Sequence, residues 1–308
     1  MQKRNIAVVF CILLVISVVF FLHFQEKEKP DYIPHFKDTP ETSIPTYIFG
    51  VHPLHSPTLF FEVYQPLVDF LNANMGNCKI VLEGSKDYQD FEEKLYANKF
   101  HIALPNPYQT IQAVNRAGYT IFGKVGDDAQ FTGIILTRKE SNIRSINELK
   151  GRVISYPSKT ALAACIQPQW FLFKHGLNIH SDIINNFVGT QESSILSVAT
   201  RLSDAGCTWP PPWKLFQKKF PEIASKLVVA WETEPLINLG LVASADFPSA
   251  YLEEISRLLF SLHTQEKGRE ILNGMGYSNF EPATLLTYKP VQDFLQEFEK
   301  NVRRIDEN

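Results

Sequence analysis

The sequence predicts an α/β protein whose folded body has two lobes, each built on a mostly parallel, doubly wound β-sheet. Short apolar strands alternate with amphipathic helices from Thr46 onward, which is typical of such sheets. The alternation begins afresh after residues 132–138, so a second lobe follows the first. The segments near residues 137 and 230 resemble strands rather than linkers. This predicts paired crossovers and a cleft between the lobes.

The first lobe is predicted to comprise residues 46–136 and 230–308, and the second lobe residues 137–229. In the first half, hydrophobic spacing predicts strands at 46–51, 79–83 and 101–104, and helices at 60–74, 88–97 and 108–117. In the second half it predicts a strand at 132–138 and then, within 146–156, a short helix, a glycine turn and a strand. Further strands are predicted at 185–189, 226–232 and 239–244, and helices at 161–175, 192–202, 249–262 and 265–275.

The amino terminus carries the pattern of a membrane anchor. The run Ile6–Leu22 is interrupted only by Ser17, follows Lys3 and Arg4, and is about long enough to cross a bilayer. We expect a transmembrane helix within residues 1–24, with its amino terminus inside, although a cleaved signal peptide is the alternative. Residues 25–45 are rich in proline and charge and predict a tether. The body is then expected in the periplasm, held at the inner membrane.

Composition argues against several classes of function. The net charge of −3 comes without a clustered Lys/Arg face, so no nucleic-acid partner is expected. The pair His52 and His55 is weak evidence for a metal, and we expect a polar loop there and no cofactor. No nucleophile elbow, zinc-protease motif or glycine-rich nucleotide loop is present, which argues against an enzyme.

The stretch "CTWPPPW" (207–213) is predicted to be a stiff loop. Its three prolines fix φ and remove three amide donors, which excludes a helix interior or a central strand. The two tryptophans, Trp209 and Trp213, either pack onto a core or line a ligand site.

The stretch "PSKT" (157–160) is predicted to open a helix. Free amides and the positive end of the helix dipole would then face an anion, beside Ser158, Lys159 and Thr160. The alternative is an ordinary N-cap with Lys159 in solvent.

Four segments together resemble the phosphonate/phosphate/phosphite-binding family of type II periplasmic binding proteins. They are "VYQPLVDFL" (63–71), "KDYQDFEEKLYANKFHIALPNPYQ" (86–109), "INELKGRVISYPSKTA" (146–161) and "GTQESSILSVATRLSDAG" (189–206). The resemblance covers roughly residues 46–280. It implies two lobes that close around a small oxyanion and deliver it to an ABC transporter permease. An ectodomain that reports its ligand to a membrane sensor kinase or cyclase, and an enzyme on the same fold, are the alternatives.

The resemblance also implies a set of ligand-binding residues. Tyr88 matches a first-lobe tyrosine of the family, and residues 158–161 match its hydroxyl-rich helix start. Phe131 stands where the family has a tyrosine, Gln191 where it often has a histidine, and Trp209 where it often has a polar or acidic residue. A different or larger ligand is therefore the alternative to a small oxyanion. The full predicted set is Tyr88, Asn106, Tyr108, Phe131, Ser158, Lys159, Thr160, Gln191, Trp209 and Trp213.

Three cysteines lie in the predicted body, which allows one bridge and one free thiol. If the sequence is aligned with the family, Cys165 follows the "PSKTA" helix start and Cys207 lies at the end of a neighbouring strand. A Cys165–Cys207 disulfide with Cys78 free is one expectation, and two buried thiols are the other.

Overall fold

The computed structural model describes residues 44–306 of the chain. The predicted anchor at 1–24, and the tether up to residue 43, lie outside the described residues. Within residues 44–306, no helix has the length and apolar character needed to cross a membrane.

In the described part of the chain, eleven strands form two separate sheets. The strands are β1 Thr46–Val51, β2 Lys79–Glu83, β3 Ile102–Leu104, β4 Thr120–Val125, β5 Ile134–Arg138, β6 Val153–Tyr156, β7 Ile184–Phe187, β8 Ala205–Thr208, β9 Leu227–Glu232, β10 Gly240–Ala243 and β11 Phe280–Pro282. The first sheet has the order β11-β4-β10-β3-β1-β2, and the second has the order β7-β6-β8-β5-β9.

Both sheets are mixed, which corrects the prediction of mostly parallel sheets. β1 runs parallel to β2 and β3, and β6 runs parallel to β7 and β8. In contrast, β10 is antiparallel to β3 and β4, and β5 is antiparallel to β8 and β9. β5 and β10 are the first strands after each crossover. Because the chain leaves one sheet and enters the other on the cleft side, these strands must run away from the cleft.

The two crossovers, residues 126–133 and 233–239, run side by side. The Thr233 amide donates to the Gly133 carbonyl at 2.9 Å, and the Leu236 amide donates to the Phe131 carbonyl at 3.1 Å. The predicted lobe boundaries near 137 and 230 fall inside β5 and β9, and both strands belong to the second sheet. The lobes therefore divide a few residues away from the predicted positions.

Between residues 44 and 306, ten α-helices cover the two sheets. They are α1 Pro57–Asn74, α2 Tyr88–Tyr96, α3 Pro107–Ala117, α4 Gln167–Lys174, α5 Gln191–Ala199, α6 Pro210–Lys219, α7 Pro221–Ala224, α8 Ser249–Phe260, α9 Glu266–Met275 and α10 Lys289–Asn301. The periodic residues of α1, from Phe60 to Leu71, are buried as their spacing predicts. Gly118 ends α3 with φ of 70°, a left-handed cap that suits glycine.

The proline stretch begins a helix, so the prediction of a loop is wrong. Trp209 is the N-cap of α6, and Pro210, Pro211 and Pro212 are its first three residues. The first amides of an α-helix have no intrahelical acceptor, so prolines lose no hydrogen bond there. The helical pattern starts with the Trp213 amide, which donates to the Trp209 carbonyl at 3.2 Å.

The apolar core is continuous between the lobes. The main cluster packs around the first sheet, and it also includes Leu162, Ile166 and Trp209 from the second lobe. Two smaller clusters cover the two faces of the second sheet. Side chains of both lobes are therefore packed together at the cleft.

Candidate ligand-binding site

A small cavity lies where the carboxyl ends of strands from both sheets meet. Its volume is about 10 Å³, roughly the room that one water needs. Ligands of open α/β sheets bind at such strand ends. The lining residues are His52, Leu54, Tyr88, Asn106, Phe131, Ala161, Leu162, Ala163, Ala164, Gln191, Trp209 and Leu239.

Hydrogen bonds join the lobes across this cavity. The Gln191 side-chain amide donates to the Tyr88 hydroxyl at 3.2 Å, and the Gln191 carbonyl oxygen accepts from Thr208 at 2.8 Å. The Asn106 side-chain amide donates to the Thr160 carbonyl at 3.1 Å. Tyr88 and Asn106 belong to the first lobe and the others to the second. The structure is therefore a closed form of the cleft.

Several hydrogen atoms remain available to a ligand. Burial raises the pKa of the Tyr88 hydroxyl, so that hydroxyl keeps its proton at neutral pH. It accepts from Gln191, and among the described residues its own proton has no acceptor. Asn106 and Gln191 each use one amide hydrogen in the bonds between the lobes and retain a second. The cavity thus offers three side-chain donors.

A helix start also faces the cavity, but it is formed by residues 161–164 and not by Ser158, Lys159 and Thr160. Leu162–Ile166 forms one π-helical turn that continues into α4, and the amides of Cys165 and Ile166 both donate to the Ala161 carbonyl, at 2.8 and 3.1 Å. The amides of Leu162, Ala163 and Ala164 precede these and have no helical acceptor. Together with the helix dipole they can hold an oxyanion.

His52 also lines the cavity, although sequence reasoning considered it only for a metal. It follows β1 directly, and its Nδ1 lies 2.9 Å from the Leu104 carbonyl oxygen. Burial lowers the pKa of His52 to about 4, so its ring is neutral at physiological pH. Its position at a strand end was the signal that could have found it.

Trp209 and Phe131 form one wall of the cavity. Their ring centroids are 5.3 Å apart with an interplanar angle of 62°, an edge-to-face contact. Trp209 also borders an outer groove of about 570 Å³ between α6 and the end of α9. In the closed cleft the Trp209 indole thus lies between the inner cavity and the groove.

Residues 49–288 match the family model of ABC-transporter phosphonate periplasmic substrate-binding proteins. The chain belongs to this family. The resemblance predicted from the four sequence segments is thereby confirmed. Its members are periplasmic substrate-binding proteins of ABC transporters. No curated protein matches the sequence closely enough to count as a relative.

Solved structures share the two-lobed fold of this phosphonate-binding family. A binding-protein component of an ABC phosphonate transporter from Pseudomonas aeruginosa is 16% identical, with a TM-score of 0.77, over 83% of this chain and 87% of that chain. PhnD1 from Prochlorococcus marinus, in complex with methylphosphonate, is 18% identical with a TM-score of 0.74, over 83% and 98%. An alkanesulfonate-binding protein from Xanthomonas axonopodis, bound to MOPS, is 14% identical with a TM-score of 0.61, over 84% and 95%.

Five of the predicted site residues lie outside the inner cavity. Ser158 and Thr160 contact each other through their hydroxyls at 3.1 Å, and the Lys159 ammonium lies 5.9 Å from the centre of the Phe187 ring. These three residues form a turn before the helix instead of opening it. The helix begins later because Ala161 is its N-cap.

The side chains of Tyr108 and Trp213 contact other parts of the protein instead of the inner cavity. The Tyr108 hydroxyl donates to the carboxylate of Asp306 near the carboxyl terminus. Trp213 stacks on Phe216 with centroids 6.0 Å apart, in the core of the second lobe. Neither residue lines the inner cavity, so the structure corrects both predictions.

Cys78, Cys165 and Cys207 are all free, so the Cys165–Cys207 bridge is not formed. Burial raises the pKa of Cys165 to about 11 and also raises that of Cys207. The Cys165 sulfur instead accepts a long contact of 3.7 Å from the Arg303 guanidinium. Among residues 44–306, no group of three or more His, Cys, Asp or Glu side chains is placed to hold a metal.

Proposed function

We propose that this protein is a membrane-anchored, extracytoplasmic solute-binding protein. Its two lobes close on a small oxyanion of the phosphonate or phosphate type, and the closed form docks on the permease of an ABC transporter. The observation that carries the proposal is the shared strand-end cavity, in which a free helix start and three side-chain donors converge. A similar structure in complex with methylphosphonate supports the choice of ligand class.

Hydrogen-bond donors, and not lysine or arginine side chains, would hold the anion. None of the residues that line the inner cavity is a lysine or an arginine. Fixed amides and hydroxyls in a site closed to water stabilise negative charge without reorganising, and a helix amino terminus adds a favourable dipole. Leu162, Ala163 and Ala164 would supply backbone donors, while Tyr88, Asn106 and Gln191 would supply side-chain donors.

Binding requires that the lobes first separate. A volume of about 10 Å³ does not admit even methylphosphonate. On opening, the bonds from Gln191 to Tyr88 and from Asn106 to Thr160 would break, and the ligand would then replace them as the bridge between the lobes. Ligand and closure would thus be linked through the same polar groups.

The anchor is proposed from the apolar run Ile6–Leu22. Cell fractionation tests it. The full-length protein should remain with membranes after a high-salt wash and be released by detergent. A protein recovered in the periplasmic fraction with its first residues removed would contradict an uncleaved anchor.

Calorimetric titration of the full-length chain with methylphosphonate, phosphate and phosphite tests the ligand class. We expect at least one of them to bind. The variant Gln191→Leu, which loses the cavity amide, should weaken binding by about tenfold or more, as expected for a lost hydrogen bond to a charged ligand. Gln65→Leu is the matched control, because the half-buried Gln65 side chain donates to Asp69 and does not line the inner cavity.

Tryptophan fluorescence gives a second readout of the same binding. Trp209 is the indole at the cavity wall, so Trp209→Ala should abolish the ligand-induced change in fluorescence while far-ultraviolet circular dichroism stays unchanged. Absence of binding by all three anions would contradict the proposed ligand class.

A further inference from the structure

The hydrogen bond of His52 fixes the tautomer of its ring. The Leu104 carbonyl can only accept, so His52 Nδ1 must carry the hydrogen that it donates over 2.9 Å. A neutral ring then has a lone pair on Nε2. His52 is only 2% exposed and lines the inner cavity, and among the described residues Nε2 has no hydrogen-bond partner.

Among the side chains that line the cavity, His52 Nε2 is therefore the acceptor without any hydrogen-bond partner, because the side-chain oxygens of Asn106 and Gln191 already accept from Gln109 and Thr208. Tyr88, Asn106, Gln191 and the amides of the helix start can all donate, whereas His52 Nε2 can only accept. A fully deprotonated oxyanion has lone pairs alone and would leave Nε2 facing an oxygen without a hydrogen between them. A buried polar group left in this way is costly.

We propose that His52 Nε2 accepts the hydrogen of a singly protonated phosphonate- or phosphate-type oxyanion. The site would then bind the monoanion of such a ligand more tightly than its dianion. It would also bind the monoanion more tightly than a sulfonate, which carries no hydrogen on oxygen near neutral pH. The inference rests on the proposed function and adds the residue that sets its specificity. No proton leaves the ligand: the P–O–H group donates a hydrogen bond and keeps its hydrogen.

Around neutral pH, the pH dependence of binding is expected to come from the ligand, because the ionisable groups near His52 do not change their protonation there. His55 is buried beside it, and burial lowers the pKa of His55 to about 4. Tyr88 from α2, Tyr64 from α1 and Cys165 from the π-helical turn all have raised pKa values and stay protonated. Glu92 hydrogen-bonds Gln109, and the Lys219 ammonium acts on His55.

The test is calorimetric titration of the full-length chain with methylphosphonate and with methanesulfonate, which has a similar shape and no acidic hydrogen. Titrations run between about pH 6 and pH 8, where phosphoryl groups lose their second proton. We expect methylphosphonate to bind about tenfold to a hundredfold more tightly than methanesulfonate at the acidic end. Its affinity should then fall about tenfold per pH unit above the second pKa of the ligand.

Two substitutions isolate the acceptor. His52→Asn keeps an amide that can donate to Leu104 but has no atom at the Nε2 position, so the preference for methylphosphonate and its pH dependence should both disappear. His52→Gln restores an oxygen acceptor and should therefore keep both the preference for methylphosphonate and its pH dependence. If His52→Asn does not fold, His52→Gln is used for the test instead. His55→Asn is the matched control, because His55 is buried nearby but does not line the inner cavity.

Each outcome has one meaning. Equal binding of the two ligands with no pH dependence would overturn the role of His52 and leave the proposed function standing. If a folded His52→Asn protein still preferred methylphosphonate to methanesulfonate as strongly as the wild-type protein does, the role of His52 would also be overturned and the proposed function would stand. Failure of the wild-type protein to bind methylphosphonate, phosphate, phosphite or methanesulfonate would overturn both the ligand class and the inference.

Discussion

Gly206 in β8 lets helix α5 lie directly against the backbone of the second sheet. A Cβ atom at this position would come within 2.5 Å of Val198 Cγ2, 2.7 Å of the Ser194 carbonyl oxygen and 2.8 Å of Ser155 Oγ. The Ser194 hydroxyl donates to the Cys207 carbonyl at 2.8 Å across the same contact. Since α5 begins with Gln191, the close approach also places a cavity residue.

Gly206→Ala should destabilise the protein by about 1–3 kcal/mol, because α5 must move away from β8 to admit a methyl group. Urea unfolding followed by circular dichroism measures the change. Gly274→Ala is the control: no atom lies within 4 Å of a Cβ there, and alanine in helix α9 should gain up to about 1 kcal/mol. Equal stability of the two variants would contradict the packing described.

Trp209 and Trp213 show what could be predicted at single residues. Both sit in one proline-rich stretch, and sequence alone gave no reason to treat them differently. Trp209 ends up at the cavity because it follows a strand directly, whereas Trp213 lies one helical turn later on the core side of α6. Tyr88, Asn106, Gln191 and Trp209 lie in strand-to-helix loops, as His52 does, whereas Phe131 was predicted only from the family resemblance.

The segment that follows α10 connects the two lobes. The Arg303 guanidinium donates to the Lys159 carbonyl at 2.7 Å and to the Gln169 side chain at 2.8 Å, both in the second lobe. Asp306, three residues later, accepts from Tyr108 in the first lobe. Residues 303–306 thus span the closed cleft on the side of the helix start that lines the cavity.

Arg303→Ala should favour the open form and lower stability by about 1–3 kcal/mol, because the variant lacks two hydrogen bonds from a charged donor. Small-angle X-ray scattering should report a larger radius of gyration, and thermal unfolding a lower midpoint. Lys300→Ala, an exposed position on α10, provides the comparison. An unchanged scattering curve for Arg303→Ala would show that the segment does not hold the lobes together.

At the scale of elements, periodicity was sufficient for the helices and strands that carry a clear pattern. β1, β2, α1 and α2 lie within a few residues of their predicted ranges, because their alternating or helical spacing is also their burial pattern. The start of α6 was missed because prolines are compatible with a first helical turn as well as with a loop. The reversed strands β5 and β10 depend on how the chain crosses between sheets, which no local pattern encodes.

The whole molecule should lose stability as the pH falls from about 6.5 toward 4. Burial lowers the folded-state pKa of both His52 and His55 to about 4, against an unfolded value near 6.5. In this interval the unfolded chain binds protons that the native protein does not, so acid favours unfolding. Each histidine should contribute about 1.4 kcal/mol per pH unit.

Urea midpoints measured across this interval test that dependence. The double variant His52→Asn, His55→Asn lacks both buried imidazoles, so its stability should change less with pH than that of the wild-type protein. Parallel profiles for the two proteins would mean that other groups dominate the acid response.

The chain completes the first sheet only after it has formed the second, and this order affects biosynthesis. β10 lies between β3 and β4, yet it is made only after the entire second sheet. While the chain emerges from the ribosome and the translocon, β3 and β4 each keep an unpaired edge, and such edges promote aggregation. The second lobe can complete its own sheet during this interval. The first lobe must wait, and export of this protein should therefore depend on chaperones that shield nascent strands.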